Sequence, residues 1–427
     1  MSDLVNAAFP YDGTAEDKSE YQRLTDRIID ETTKSYNKDG PRVPNWSLDM
    51  QISIDRIKAN LKLLIPHGHH FTEDNFDAVE AEKRFLKLRI LESDISNKGG
   101  QYRKRFWSIS DPSILISPDP VFKPLVDEDL KSISDSNPRQ LFSEVVASQA
   151  IIDSWEKKGT DVDSVLGIKP LREDEVIMVF YHGGGFYLEC PGTNRTAALE
   201  ISIETGNRVF LPDYRYSPVN PFPASIYDGF LFFRHLVSCG FKPSNIIIMG
   251  DSAGGNLCLC LLQMLKSLNL TQPKAAILFS PWCDLSFTSD SWKRNIPYDF
   301  IPVPNFDDVL CDNRIYVAPG KKFEEVKKML GHPLISPLHG DYEGCAPMYI
   351  QSGEVELLVD DIDALAKKLG AHETYIKGRS HPGISHSSDK VIYEKYAGMV
   401  HIFFLFDMAD EKHAAIKGVG NYVRSLK

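Results

Sequence analysis

The sequence has few cysteines, no excess of positive charge and no long apolar run. Its seven cysteines are spread thinly over 427 residues, and only Cys258 and Cys260 stand close together. A disulfide framework or a zinc site needs several closely spaced cysteines, so we expect neither. The longest dense apolar run, HIFFLFDM at 401–408, is far too short to cross a bilayer. No transmembrane segment is therefore predicted.

The charge balance argues against nucleic acid as a partner. Asp and Glu outnumber Lys and Arg by 59 to 48, and the formal net charge is −11. Such a chain has no overall attraction for phosphate backbones or anionic membranes. One basic aromatic run, QYRKRFW at 101–107, is superficially typical of nucleic-acid binding, but in an acidic chain it indicates the edge of a strand.

Two further absences concern targeting and metals. The first residues lack a secretory signal and the last four, RSLK, are not a peroxisomal address, so we expect a cytoplasmic protein. The one dense histidine cluster, HGHH at 67–70, has no further ligands at helix or hairpin spacing. We interpret it as a solvated loop and predict neither a metal nor another cofactor.

The chain divides near residue 166. Residues 1–100 are polar and helical, with a charged stretch over Ala15–Thr33 and an apolar stripe from Ile54 to Leu64. A turn-rich connection with a possible strand at Ile114–Ile116 and a helix over Leu141–Trp155 follow before residue 166. This N-terminal region could form helical cap segments, a small subdomain, a lid or outer strands.

Beyond residue 166, short apolar runs rich in β-branched residues alternate with amphipathic runs of helix length. The predicted strands are Val176–Tyr181, Arg208–Leu211, Ile246–Met249, Ala275–Phe279, Met348–Gln351 and Glu373–Ile376. This alternation predicts an α/β fold with a mostly parallel sheet covered by helices on both faces. It stops over about residues 284–345, a length that favours a cap inserted into a domain that spans residues 166–427.

The first motif with clear chemistry is Gly250-Asp251-Ser252-Ala253-Gly254, which follows the strand IIIM and precedes the helix NLCLCLLQML. A serine in a G-x-S-x-G turn between a strand and a helix is raised above the sheet, and the flanking glycines permit the tight turn. The alternative is a helix-capping serine between packing glycines. The strand–turn–helix context favours a nucleophile elbow with Ser252 as nucleophile.

The second motif is His182-Gly183-Gly184-Gly185, again directly after an apolar strand, VIMVFY. Acyl transfer needs fixed N–H donors aimed at the developing oxyanion, and consecutive glycines let a backbone loop approach that closely. Its spacing fits neither common phosphate-binding glycine loop. The two motifs together predict a serine hydrolase.

These motifs resemble the hormone-sensitive-lipase-like branch of the α/β-hydrolase fold. HGGGF, DYRYSPVNPFPASIYD at 213–228, GDSAGGNL at 250–257, SPWCDL at 280–285 and GEVELLVDD at 353–361 occur in family order. The resemblance implies carboxylic ester hydrolysis without a cofactor, and a cap built from N-terminal helices and an insertion. Within the branch, the chain is similar to members that include arylacetamide and steryl-acetate deacetylases.

The catalytic acid of such a hydrolase follows the serine in the chain and precedes the histidine. The family pattern G-x-x-[DE]-x-L falls on residues 353–358, which makes Glu356 the predicted acid, just past the strand MYIQ. Glu354, Asp360 and Asp361 are close rivals, which we interpret as solvated loop or helix-start acids.

The catalytic base must be one of five histidines that follow the acid: His372, His381, His386, His401 and His413. The family pattern H-[VI]-F matches His401-Ile402-Phe403. The polar stretch GRSHPGISHSSD, which carries His381 and His386, is interpreted as a surface loop or a substrate entrance. His401 is therefore the predicted base.

The resemblance also implies the supporting roles. The oxyanion amides are those of Gly184, Gly185 and Ala253, the residues that support the oxyanion loop are His182 and Gly183, and the pocket residues are Phe186 and Tyr187 with parts of the cap. An Asp213–Arg215 pair either braces the site or is an ordinary ion pair, and Asp251 is expected to be a structural hydrogen bonder.

We therefore predict a serine carboxylic-ester hydrolase for a small-molecule substrate, with short-acyl esters of hydrophobic alcohols as the expected class. Two other functions stay open at this point. One is a non-catalytic ligand-binding protein on the same scaffold, resembling plant hormone receptors that have lost the triad histidine, whereas His401 is present here. The other is an amidase or peptidase with the same triad. The sequence does not predict the oligomeric state.

Overall fold

A computed structural model describes residues 15–64, 71–89, 92–384 and 389–426. Within these residues, nine strands form one sheet: β1 Gly100–Ser108, β2 Gln140–Ser148, β3 Ile177–Tyr181, β4 Val209–Pro212, β5 Ile246–Asp251, β6 Ala275–Phe279, β7 Met348–Gly353, β8 His372–Ile376 and β9 Val391–Tyr396. Their order across the sheet is β1-β2-β4-β3-β5-β6-β7-β9-β8.

The pairing is parallel over most of the sheet. From β4 across to β8 all neighbours run parallel, whereas β2 pairs antiparallel with both β4 and β1 at one edge. The carboxyl ends of parallel strands meet at one edge of a sheet, where open α/β folds place their sites. The segments after β3, β5, β7 and β9 are thereby brought together.

Both faces of the sheet are buried. Along β3, Ile177, Val179 and Tyr181 belong to one apolar core, whereas Met178 and Phe180 belong to the other. Continuously apolar strands of this kind are typical of a parallel sheet that is covered on both sides. The predicted α/β architecture is confirmed.

Helices surround the sheet and precede it. The helices of the described residues are α1 Ala15–Asp39, α2 Leu48–Leu64, α3 Ala78–Arg89, α4 Lys123–Ser134, α5 Gln149–Glu156, α6 Val162–Val165, α7 Arg195–Thr205, α8 Ala224–Ser238, α9 Ala253–Ser267, α10 Ser291–Arg294, α11 Asp312–Val317, α12 Phe323–Lys327, α13 Val359–Lys368 and α14 Asp410–Ser425. Helices α8 and α9 pack into the first core, and α7 and α14 into the second.

The six strands predicted beyond residue 166 are all present as β3 to β8, each with ends within two residues of the prediction. Beyond residue 166 the sheet holds one more strand, β9, whose sequence VIYEKY is not among the predicted strands. It lies between β7 and β8 and precedes His401 in the chain.

The helix predicted over Leu141–Trp155 is wrong in its first half. Residues 140–148 form strand β2, and helix α5 begins only at Gln149. The β-branched Val145 and Val146 are fully buried there and suit a pleated sheet surface. Because β2 pairs with strands distant in sequence, local periodicity did not predict it.

Two other local predictions have opposite outcomes. The basic aromatic run 101–107 is confirmed as part of an edge strand, β1. The possible strand Ile114–Ile116 is wrong, because Pro112–Ile114 form a 3-10 turn. Asp111 caps that turn by accepting a hydrogen bond from the amide of Ser113. Pro112, the first residue of the turn, favours the same geometry.

The N-terminal helices contact the segment between β6 and β7. That segment contains the short helices α10, α11 and α12 and no strand. Arg42 donates to the carbonyl of Pro297 at 3.1 Å, and buried Arg314 pairs with Glu73 at 2.7 Å. The predicted cap segments therefore lie against one another. The histidine cluster at 67–70 lies outside the described residues.

Candidate active site

The serine of the G-x-S-x-G motif occupies a strained turn. Ser252 lies between β5 and α9 with φ 50° and ψ −115°, a conformation that non-glycine residues adopt at a cost and retain at functional sites. A Cβ on Gly254 would lie 1.9 Å from the carbonyl oxygen of Tyr181. A Cβ on Gly250 would lie 2.4 Å from the carbonyl carbon of Gly254. The motif therefore requires its glycines.

The glycine loop after β3 presents free amides. Gly184 and Gly185 have φ of 84° and 62°, in the region that glycine adopts most readily. Together with Ala253, they donate no backbone hydrogen bond to any described residue. Ala253 opens helix α9, whose first N–H groups have no partner within the helix. Three amides are thus available to an incoming oxygen.

His182 holds this loop from behind. Its Nδ1 lies 3.0 Å from the carbonyl oxygen of Gly183, and its ring stacks on Tyr214 at a centroid distance of 4.3 Å. The Tyr214 hydroxyl donates to the carbonyl of His182 at 2.8 Å. Burial lowers the pKa of His182 to about 3, so the ring is neutral and does not act as a base near neutral pH.

Glu356 and His401 meet in a buried position. Glu356 is fully buried and His401 is 4% exposed. The distance from His401 Nδ1 to Glu356 Oε2 is 3.8 Å, longer than a hydrogen bond, and Nδ1 has no hydrogen-bond partner among the described residues. Catalytic hydrogen bonds are often this long before substrate binds.

The segment after β6 joins the predicted acid and the predicted base to Ser252. Ser280 Oγ donates to Glu356 Oε2 at 2.5 Å and accepts from the amide of Ile402 at 3.1 Å. The backbone on either side of Ser280 holds Ser252, because the Ser252 amide donates to the Phe279 carbonyl and the Trp282 amide donates to the Ser252 carbonyl, each at 2.9 Å. No hydrogen bond joins Ser252 Oγ to His401 in the described part of the chain.

Two further carboxylates near His401 were missed by the sequence analysis. Asp299, in the segment between β6 and β7, is fully buried and accepts a hydrogen bond from the His401 amide at 3.4 Å. Glu189, five residues after Gly184, has φ 60° and interacts electrostatically with His401 and Asp251. Neither belongs to a motif, and no sequence signal marks them beyond the proximity of Glu189 to HGGGF.

The predicted Asp213–Arg215 pair is wrong. Arg215 pairs with Asp228 at 2.9 Å rather than with Asp213, which instead accepts from the Tyr216 hydroxyl at 2.5 Å. Asp251 lies beside the glycine loop, since a Cβ on Gly183 would lie 2.3 Å from Asp251 Oδ2, and its role as a structural hydrogen bonder stays a prediction. Burial, reinforced by the charge of Glu189, raises the pKa of Asp251 well above its ordinary value.

The predicted pocket residues pack against the segment between β6 and β7. Phe186 is fully buried and stacks on Tyr316 at 4.1 Å. Tyr187 is 3% exposed and donates its hydroxyl to Asp312. Their contribution to a substrate pocket stays a prediction.

The rival acids have other partners. Glu354 accepts from the Tyr375 hydroxyl and the Gly398 amide, both at 2.8 Å. Asp360 pairs with Arg294 at 2.6 Å, and Asp361 accepts from the indole of Trp292 at 3.4 Å.

Among the rival histidines, His381 differs from the sequence prediction. Its side chain is fully buried rather than on the surface, with Nε2 2.7 Å from Glu394 Oε1. Nδ1 accepts from the amide of Gly383 at 2.9 Å, so the ring is held away from solvent on both sides. His386 lies outside the described residues.

The described residues show neither a metal centre nor a membrane-spanning helix. There, no group of three or more His, Cys, Asp or Glu side chains is arranged to hold a metal ion. Over the same residues, no helix is long and apolar enough to cross a membrane. The cysteines are free thiols, and Cys258 and Cys260 are buried in helix α9.

Comparisons with known sequences agree with this geometry. A family model described as alpha/beta hydrolase fold matches residues 178–390. An esterase of Acinetobacter venetianus is 30% identical over 251 residues, which are 58% of this chain and 75% of that protein. An acetyl-hydrolase of Streptomyces hygroscopicus is 28% identical over 263 residues, 60% of this chain and 78% of its own length.

Solved structures support the same assignment of fold. An esterase from the bacterial hormone-sensitive lipase family aligns over 87% of this chain and 97% of its own with a TM-score of 0.55 and 22% identity. That degree of likeness speaks to the fold, while the Acinetobacter relative shows shared ancestry. Sheet order, elbow geometry and sequence similarity converge, and the chain belongs to the α/β-hydrolase fold family.

Proposed function

We propose that the protein is a serine carboxylic-ester hydrolase that acts through Ser252, His401 and Glu356. The observation that carries the proposal is the strained turn of Ser252 opposite a loop with unused amides, at the edge where acid and base also lie. Relatives named esterase and acetyl-hydrolase support the same reaction class.

The reaction follows from the roles of these groups. Ser252 Oγ attacks the ester carbonyl carbon and its proton passes to Nε2 of His401, while the carbonyl oxygen becomes an oxyanion. The amides of Gly184, Gly185 and Ala253 donate to that oxyanion, and each such donor is worth about 10²–10³ in rate. The intermediate collapses as His401 gives the proton to the leaving alcohol. Water then hydrolyses the acyl-enzyme by the same steps in reverse.

Glu356 serves the imidazole. A carboxylate beside Nδ1 selects the tautomer that leaves Nε2 free as the proton acceptor, and it stabilises the imidazolium that forms. The Oε2 atom of Glu356 is itself held by Ser280 Oγ and by the amide of Gly353 at 3.2 Å. His182 supports the oxyanion loop and takes no proton.

The proposed substrates are short-acyl esters of hydrophobic alcohols. The segment that follows Ser280 is rich in buried aromatic side chains, with Trp282 5% exposed and stacked on Phe287 at 5.8 Å. Trp282 is also bonded to the Ser252 backbone, so this apolar surface begins beside the nucleophile. An apolar wall favours an uncharged alcohol group.

The decisive experiment compares Ser252→Ala with the wild-type chain on p-nitrophenyl esters from two to sixteen carbons. We expect Ser252→Ala to lose at least about 10³ in kcat/KM, since triad members act as a unit, while a control at the other end of helix α9, Ser267→Ala, stays active. Wild-type protein that neither cleaves any of these esters nor reacts with a fluorophosphonate probe would contradict the proposal. Matched ester and amide substrates would separate an esterase from an amidase.

A further inference from the structure

Asp299 is a buried carboxylate without a cation. It lies in the segment between β6 and β7, five residues after helix α10 ends, and is fully buried. No Lys or Arg within the described residues forms a salt bridge with it. Burial raises the pKa of Asp299 to about 6. A buried carboxylate is costly unless it is bonded in place.

Its hydrogen-bond partners are three backbone amides, two of which belong to the segments of the proposed acid and base. Oδ2 accepts from the amide of Leu357 at 2.7 Å, and Oδ1 accepts from its neighbour Phe300 at 2.8 Å and from His401 at 3.4 Å. Leu357 directly follows the proposed acid, Glu356. One side chain from the insertion thus binds the residue after the acid and the proposed base itself.

Ser280, which directly follows β6, also joins the segments of the proposed acid and base. It bonds the Glu356 carboxylate and the amide of Ile402, the residue after His401. A third contact from the insertion, the amide group of Asn295, donates to the Glu356 carbonyl at 2.8 Å. Two side chains, Ser280 and Asp299, thus bridge Glu356 or the residue after it to His401 or the residue after it, and of these two only Asp299 belongs to the insertion.

Building on the proposed function, we propose that Asp299 is a positioning residue for the acid–base pair. It fixes the spacing between Glu356 and His401 and places a second negative charge beside the imidazole. Through it, the insertion that packs on the oxyanion loop also sets the geometry of proton transfer.

The charges that face His401 make a pH test specific. They are the carboxylates of Glu356, Asp299 and Glu189, from the segments after β7, between β6 and β7, and after β3, and Phe300 supplies an apolar ring at 6.1 Å. A negative neighbour favours the protonated imidazole. Loss of the Asp299 charge should therefore move the acid limb of the pH–rate profile to lower pH.

The experiment measures kcat, KM and the pH profile for Asp299→Asn, Asp299→Ala and a control, Asp290→Asn, at the exposed N-terminal end of helix α10. We expect Asp299→Asn to lower kcat about tenfold or more with KM nearly unchanged, as misplacement of a reacting group does. Its acid limb should move down by about half a pH unit or more, as loss of a nearby charge does. Asp299→Ala should show the same shift with a larger loss of kcat.

Folding is monitored separately by circular dichroism, and rates are normalised to the folded fraction. An unmoved acid limb in both Asp299 variants, with kcat restored by that normalisation, would overturn the inference and leave the ester hydrolase standing. Activity that survives in Ser252→Ala would instead remove the proposed function on which it rests. An equal shift of the acid limb in Asp290→Asn would also overturn the inference, because the shift would then not depend on the hydrogen bonds of Asp299 to Leu357 and His401.

Discussion

At the residue scale, the elbow is determined by space as much as by chemistry. The hydroxyl of Ser252 can stand above the sheet only because the chain turns sharply between β5 and α9, and that turn brings backbone atoms into contact on both sides. Gly254 lies so close to β3 that its missing side chain is part of the fit. Ser252 is the proposed nucleophile, and the glycines leave the space that its turn needs.

We predict that Gly254→Ala disrupts the site. Its Cβ would lie 1.9 Å from the Tyr181 carbonyl oxygen, and relief of such an overlap costs about 1–3 kcal/mol or more. Reaction with a fluorophosphonate probe should be lost, and the urea midpoint should fall. Gly331→Ala is the matched control, because nothing lies within 4 Å of a Cβ there. Equal behaviour of the two variants would contradict the steric argument.

At the element scale, the sequence predicts well those elements whose role depends only on neighbouring residues in the chain. The elbow and the glycine loop each directly follow an apolar strand, so strand, turn and role could all be inferred from a few neighbouring residues. Strand β2 could not, because its partners β1 and β4 are distant in sequence and its apolar spacing also fits a helix. Asp299 could not either, since only the folded chain brings it to His401.

Helix α13 gives a prediction about pH. Asp361 in its first turn is 6% exposed, and burial together with the charge of Asp284 raises its pKa from 3.8 to about 7. A raised carboxyl pKa adds stability that is complete below about pH 4 and is lost as pH rises through about 7. Asp361→Asn should therefore melt at a higher temperature than the wild-type chain at about pH 8, and this advantage should shrink as pH falls and vanish below about pH 4.

The comparison needs thermal melts at both pH values. Asp341→Asn serves as a control, because Asp341 is exposed and its carboxylate pairs with Lys266 at 2.6 Å in the wild-type chain. In the wild-type chain the pKa of Asp341 is lowered rather than raised, chiefly by its hydrogen bond to Lys266. A pH-independent difference between Asp361→Asn and the wild-type chain would contradict the assignment.

At the scale of the whole molecule, the N-terminal region contacts the turn that precedes the proposed base. The loop between α1 and α2 packs on the turn that precedes His401: Trp46 donates its indole N–H to the Gly398 carbonyl at 2.7 Å, and Asn45 donates to the Ala397 carbonyl at 2.8 Å. Asn45 and Trp46 therefore hold a turn that lies 352 positions further along the chain. The proposed site depends on both ends of the described chain.

We predict that Trp46→Phe lowers both stability and activity. It keeps most of the buried ring but removes the donor to Gly398, and loss of such a partner costs about 1–3 kcal/mol. The melting temperature and kcat should both fall, with KM nearly unchanged. Trp155→Phe, on the helix that follows β2, is the control. Full activity in Trp46→Phe at temperatures where it is folded would show that the turn holds His401 unaided.

The order of the strands also bears on how the chain acquires its shape during synthesis. β1 and β2 are consecutive antiparallel strands separated by a long connection, and the other edge of β2 is completed only when β4 is synthesised, about sixty residues later. Contacts of such separation slow folding and leave strand edges exposed in the meantime. The nascent β1–β2 pair therefore keeps an unpaired strand edge until β4 is synthesised.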